Sequence, residues 1–254
     1  MTMQRPGFGI QLYTVRDELK NDFFGTIRQL ADMGYEGIEG GIYEGDQLKG
    51  LVDLLAEKNI AYAGGMTMMS DFEARLDQIL ESTSTLGSNT VLCPWILEEE
   101  RQNLEDWKKI AVRKQKIGEA CRDAGFKYLY HIHGFEFTDL GGGTTGMDVI
   151  FDETDDAVGF EIDIYWAYHA GQDPVALYKK MLARTPFLHL KDMIKNPDPV
   201  DVEVGSGIVP VKEVVDIAMA SGCEWMLIEQ EMFDKPPLEA ARISHDQVRA
   251  MMGG

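Results

Sequence analysis

Four short stretches of the chain end in groups that can bind cations or move protons: His131-Ile-His133-Gly-Phe-Glu136, Glu161-Ile-Asp163, His189-Leu-Lys191-Asp192 and Glu229-Gln-Glu231. Each closes a run rich in β-branched and aromatic residues, the composition of a strand. Alternate residues of a strand share a face. His131 therefore points with His133, His189 with Lys191 and Glu229 with Glu231, while Ile132, Leu188, Leu190 and Ile228 point the other way. Buried carboxylates without partners are costly, so acids and imidazoles gathered this densely call for a counter-charge. A divalent cation supplies one. Asp163, His189 and Glu229 are its candidate ligands, with one of His131 and His133 joining them and the other touching a substrate or supporting a ligand from behind. Glu161 faces inward below that level as a hydrogen-bonded support. Nitrogen and oxygen donors without sulfur suit Mn²⁺, Mg²⁺, Co²⁺, Fe²⁺ or Zn²⁺. The excess of carboxylates over histidines puts Mn²⁺ first.

Strand ends gather at one place only if the strands are parallel neighbours, and the sequence repeats a strand-then-helix grammar that makes them so. Strands are predicted at 8–15, 37–39, 61–66, 90–93, 127–133, 157–163, 187–191 and 224–230. Helices are predicted at 22–33, 46–58, 104–124, 173–184, 210–221 and 237–251, and a further helix carries Phe72, Leu76, Ile79 and Leu80. The apolar residues Phe23, Phe24, Ile27, Leu30 and Met33 recur at helical spacing, and Gly34 stands where a C-cap belongs. Pro94 should end the fourth strand, and Pro174 and Pro210 sit at helix starts. Gly141-Gly142-Gly143 fits neither nucleotide-binding glycine motif and reads as a flexible loop. The expected fold is a (β/α)₈ barrel forming one domain over residues 1–254, with its site at the C-terminal ends of the strands. Strands two to four end mostly in apolar or small residues, so the second half of the barrel should carry the chemistry.

Composition sets outer bounds. A chain of 254 residues matches the about 250 that such a barrel needs. A net charge of −19 argues against nucleic acid and anionic membranes as partners. No apolar run reaches the roughly 18 residues of a membrane span. The opening Met-Thr-Met-Gln-Arg-Pro has no signal-peptide core, so a cytoplasmic location is expected. Cys93, Cys121 and Cys223 lie far apart without a paired spacing, and Cys121 and Cys223 read as packing residues. The expected partner is a small sugar, and homo-oligomerisation is open to a barrel with so many exposed helices.

At the same residues the chain resembles the sugar phosphate isomerase/epimerase family of xylose-isomerase-like barrels. The resemblance runs from Gln11-Leu-Tyr13 to Glu229-Gln-Glu231. Its main carriers are Tyr130-His-Ile-His133-Gly-Phe-Glu136-Phe137, Glu161-Ile-Asp163-Ile-Tyr-Trp166 with Ala170-Gly-Gln-Asp-Pro174 behind it, and His189-Leu-Lys-Asp192. It implies a metal held by one residue from each of strands five to eight. Asp163, His189 and Glu229 match the last three. Where the family places a glutamate on strand five, this chain has His131, with Glu136 the next acid.

The chemistry so implied is that of a metal-dependent keto-sugar isomerase or epimerase. Glu229, or Glu136 across the ring, would take the proton beside a chelated carbonyl to give an enediolate. Lys191 would steady the oxyanion, and Tyr13, Trp95, Trp166, His133 and Glu231 would contact the sugar. A lyase or hydrolase acting on 3-keto-glycosides is the alternative with the same site. An apurinic-endonuclease-like phosphodiesterase would need more than the five histidines present and a less acidic surface. A non-catalytic barrel would leave the buried charges unused. The only candidate phosphate loop is Gly205-Ser206-Gly207.

Overall fold

The computed structural model describes residues 5–195 and 197–253. Met1 to Gln4, on which much of the leader reading rests, lie outside the described residues. The strands are β1 (Gly7–Gln11), β2 (Gly37–Gly41), β3 (Ala61–Met66), β4 (Thr90–Cys93), β5 (Lys127–His131), β6 (Val158–Asp163), β7 (Phe187–Leu190), β8 (Asp192–Lys195), β9 (Pro199–Val202) and β10 (Trp225–Ile228). All but β8 and β9 close into a barrel in the order β1-β10-β7-β6-β5-β4-β3-β2, and β1 pairs back onto β2. Every barrel pairing is parallel. The expected (β/α)₈ architecture is the observed one.

Local signals act as their chemistry requires. Asp22 caps the helix Phe23–Met33 through the Gly25 N–H, and Gly34 closes it at φ 104°, a left-handed conformation open to glycine. Pro174 opens the helix Pro174–Met181 and Pro237 the helix Pro237–Met251, where a missing N–H costs nothing.

Four segments depart from the prediction. The first strand stops at Gln11 and turns into a 3-10 helix, Leu12–Val15, which is followed by the helix Arg16–Asn21. The stretch between β5 and β6 holds a helix, Gly146–Glu153, closed at its start by a capping box between Thr145 and Asp148. The glycine run before it is part of a turn joined by the bridge Asp139–Thr145. Asp163 starts a short helix, Ile164–His169. An antiparallel hairpin, β8 with β9, leaves the barrel beyond β7.

Side-chain alternation builds two cores. Ala63, Leu92, Leu129, Phe187 and Leu227 pack inside the barrel, while Ile132, Leu188, Leu190 and Ile228 join the larger core between barrel and helices. Trp225 packs at the bottom of the barrel, where a Cβ on Gly37 would come within 2.5 Å of its ring; only glycine leaves that room. Above this apolar floor the inward positions turn polar: Gln11, Glu39, His131, Glu161, Asp163, His189 and Glu229 are all buried. Cys93, Cys121 and Cys223 are free and buried. No helix among the described residues is long and apolar enough to cross a membrane.

Candidate metal centre

The ends of β5, β6, β7 and β10 bring His131, Asp163, His189 and Glu229 together. One ligand atom from each lies within 4.8 Å of the others. Asp163 shows why the cluster suits a cation. Its Oδ1 accepts the N–H groups of Tyr165 (2.8 Å) and Trp166 (3.0 Å), capping the helix that starts there. Its Oδ2 is buried and has no hydrogen-bond partner among the described residues. A carboxylate oxygen held rigidly in such a place is matched by a positive ion.

A second layer of acids lies directly beneath. Glu161 Oε2 is 2.9 Å from His131 Nδ1 and 3.1 Å from His189 Nε2. Glu39 Oε1 is 2.9 Å from His189 Nε2, and Gln11 Nε2 donates to that same Glu39 oxygen at 2.8 Å. An ionised carboxylate only accepts, so with ionised partners these contacts place an N–H on His131 Nδ1 and on His189 Nε2. The lone pair of His131 Nε2 is then available to a cation, and that of His189 Nδ1 becomes so once the imidazolium gives up its second proton. His189 Nδ1 lies 3.1 Å from Glu229 Oε2, on the ligand side.

The charges are strongly coupled. Burial raises Glu161 well above the usual carboxylate range, and Glu39 beside it adds to the rise. Burial likewise pushes Asp163 up to about 7, with Glu229 raising it further against Lys191 and His189. Burial opposes the charge on His189, but Glu161 and Glu39 outweigh it and hold the imidazole protonated. His131 is driven well below the ordinary histidine value by burial and by the neighbouring His189, His133 and Lys191. Burial works against Glu229 too, yet His189 and Lys191 pull it down to about 2. By itself the protein balances its acids with an imidazolium, the role a divalent ion takes over when bound.

Above this cluster opens a cavity of about 520 Å³ lined by Gln11, Tyr13, Arg16, Trp95, His131, His133, His189, Glu229 and Glu231 among others. Tyr13, Trp95, His133 and Glu231 thus stand where substrate contacts were expected. Burial lowers His133 to about 4, so it is uncharged at neutral pH, and its ring meets Trp95 edge-on with centroids 4.7 Å apart.

Three expected site residues sit elsewhere. Glu136 is fully buried outside this cavity; Tyr130 Oη donates to one of its oxygens and the His133 N–H to the other at 2.9 Å. It is placed as a support for His133, not as a base facing it. Trp166 does not line the cavity; its ring packs on Tyr165 at 5.0 Å and on Lys191 Nζ at 5.0 Å. Lys191 is buried below the rim, held by Glu231 and by Asp201 at 3.5 Å. Burial opposes its charge, but Glu229, Asp163, Asp201 and Glu231 prevail and keep it protonated.

Four residues escaped the sequence reading. Gln11 was given no role of its own and Glu39 belongs to a strand read as poor in chemistry, though both follow inward glycines, Gly9 and Gly37, at alternate spacing. The register of β2 slips between Ile38 and Glu39. Asp201 reaches the site from the unforeseen hairpin and accepts the Glu231 N–H at 2.8 Å. Arg16 donates to the Glu231 carbonyl at 2.9 Å.

Fold and site together define a parallel (β/α)₈ barrel whose mouth carries a set of residues able to hold a divalent ion. Matching over residues 27–251, the chain belongs to the xylose isomerase-like TIM barrel family. The inosose dehydratase of Clostridium beijerinckii is 29% identical over 126 residues, 48% of this chain and 40% of that protein. The match to such curated relatives spans less than half of their length. A sugar phosphate isomerase/epimerase from Parabacteroides distasonis superposes with TM-score 0.83 at 22% identity, covering 98% of this chain and 96% of that one. The crystal structure of IOLI protein with a bound zinc atom superposes with TM-score 0.74 at 15% identity, covering 97% and 98%. At these identities the two structures share the fold.

Proposed function

We propose that this chain is a divalent-metal-dependent enzyme that enolises a polyhydroxylated ketone of the sugar class. The supporting observation is the buried quartet of His131, Asp163, His189 and Glu229, with ligand atoms within 4.8 Å of one another beneath an open cavity. A cation held there supplies Lewis acidity, polarising a ketone and acidifying its neighbouring C–H. Manganese is our first choice on the donor set.

The chain's own groups then divide the work. Glu229 is ionised and faces the cavity, so it takes the proton; the electron pair of the C–H bond passes into the enolate. His133, uncharged and across the same cavity, is the second group able to accept a proton or return one. Glu136 fixes the His133 backbone and Lys191 fixes Glu231. With Glu136 outside the cavity, a pair of opposed glutamates is not the proton-moving device.

Two fates of the enolate fit this arrangement. Loss of a β-hydroxyl or β-alkoxyl, protonated as it leaves, gives an unsaturated ketone, and the dehydratase relatives favour that outcome. Return of the proton to the neighbouring carbon or the opposite face gives an isomer or epimer, which the neutral His133 beside Glu229 favours. The common step is tested by solvent exchange. With Mn²⁺ in D₂O, a panel of ketoses and 3-keto-glycosides should yield one member that takes up deuterium next to its carbonyl, and Glu229→Gln should abolish that uptake. Product analysis on that member separates elimination from isomerisation. A panel that exchanges no faster than with metal alone overturns the reading.

A further inference from the structure

Barrels of this architecture frequently bind phosphate on the loops after their seventh and eighth strands. In this chain the segment fitted for it, Gly205-Ser206-Gly207, has its amides already engaged. Asp192 Oδ2 accepts the N–H groups of Gly205 (3.0 Å) and Gly207 (2.8 Å), and Oδ1 accepts those of Met193 (2.8 Å) and Val209 (3.0 Å). The carboxylate is buried. Four backbone donors converging on one anion form a nest, and here the nest is filled by the protein's own side chain. The fit is close: a Cβ on Gly207 would lie 2.3 Å from Asp192 Oδ1. A phosphoryl group could enter only by expelling that carboxylate.

The cavity offers no replacement. Arg16 is the only lysine or arginine among the described residues lining it. Its guanidinium donates to the carbonyls of Tyr13 at 3.1 Å and Glu231 at 2.9 Å and lies 4.5 Å from the Tyr13 ring centre. Lys191 is turned below the rim into Glu231 and Asp201. The carboxylates of Glu229 and Glu231, by contrast, both line the cavity. A phosphate dianion bound there would meet those acids, and the one arginine among the described residues lining the cavity, Arg16, is turned onto two backbone carbonyls. The remaining wall, with Leu12, Tyr13, Leu19, Met66, Pro94 and Trp95, suits the apolar face of a neutral ring.

We propose that the ketone this site enolises is an unphosphorylated polyol, and that the chain discriminates against sugar phosphates through the carboxylate of Asp192 in the nest and that of Glu231 in the cavity. The inference rests on the proposed reaction for its ketone but is read from binding, so the two can fail separately. The test is calorimetric titration of the Mn²⁺-loaded full chain with fructose and with fructose 6-phosphate, followed by the same pair on Glu231→Gln. The neutral sugar should bind more tightly by roughly tenfold or more, and Glu231→Gln should narrow that ratio severalfold. Equal or tighter binding of the phosphate by the native chain overturns the proposal, as does a ratio that Glu231→Gln leaves unmoved. Absence of deuterium exchange on every ketone would instead count against the reaction proposed above.

Discussion

Glu161 Oε2 lies 2.9 Å from His131 Nδ1, both groups buried, so this acid holds the orientation of that imidazole. The same oxygen is 3.1 Å from His189 Nε2, and one acid thereby orients two candidate ligands. Glu161→Gln keeps the shape but puts an amide in place of the carboxyl group, so the two rings are no longer held in the same way. Second-layer changes of this kind typically cost about 10–100-fold in metal affinity, and that loss is expected here on chelator competition with Mn²⁺. The metal-free variant should also be more stable than the native chain, because a buried acid crowded by Glu39 is gone. Native affinity in Glu161→Gln would remove Glu161 from the role of positioning residue.

Asp163 allows a separate test of whether the cluster holds a cation at all. Its Oδ1 is fixed by two backbone N–H groups and its Oδ2 is left bare. A ligand that binds only the folded state stabilises it by about 2.7 kcal/mol at a hundredfold excess over its dissociation constant. Mn²⁺ should therefore raise the melting temperature of the native chain, and EDTA should reverse the gain. Asp163→Ala should show neither effect and should emerge metal-poor by elemental analysis. An identical metal-dependent shift in both proteins would place the ion elsewhere.

Most of this site was legible because strand alternation and strand ends are local properties of sequence. His131, Asp163, His189 and Glu229 each close an apolar run, and parity alone aims them inward. What the sequence could not display was depth. Glu39 sits on a short strand between glycines, and its importance comes from β1 and β7 carrying Gln11 and His189 to it across the closed barrel, a long-range consequence of register. Glu136 misled for the complementary reason. It follows the histidines closely, but the turn after β5 winds into a 3-10 helix, Phe135–Phe137, and carries the carboxylate back under the strand. The hairpin bearing Asp201 was missed because the expected strand ends at Lys191, and its two short arms, Asp192–Lys195 and Pro199–Val202, are recognised only by their pairing with each other.

Glu136 leads to a prediction in pH. Burial raises its carboxyl to about 7, against hydrogen bonds from Tyr130 and the backbone. The unfolded group ionises near its ordinary value of 4.5. Between those two values the folded state holds a proton that the unfolded state has released, so stability from this group falls as pH rises and stays lower above about 7. Glu136→Gln removes that term. The variant should gain on the native protein between pH 5 and pH 8, by on the order of 1–3 kcal/mol, in urea denaturation at each pH. The lowered His131 and His133 titrate in both proteins and cancel in the difference. Parallel stability curves would show that Glu136 stays ionised when folded.

The aromatic rim separates binding from catalysis. Tyr13 and Trp95 both line the cavity and are 53% and 39% exposed, and they follow β1 and β4, which β2 and β3 separate around the barrel mouth. Tyr13 touches no proton-moving group, so Tyr13→Ala should lose only stacking, raising KM by roughly two- to tenfold with kcat nearly unchanged. Trp95 differs because its ring borders His133 at 4.7 Å. Trp95→Ala frees that imidazole to rotate, so kcat should fall together with the rise in KM. The contrast is measured on whichever ketone exchanges deuterium. If Trp95→Ala changes KM alone, His133 is held by Glu136 and Phe135 without help from the indole; if Tyr13→Ala lowers kcat, the substrate reaches further across the mouth than the cavity walls indicate.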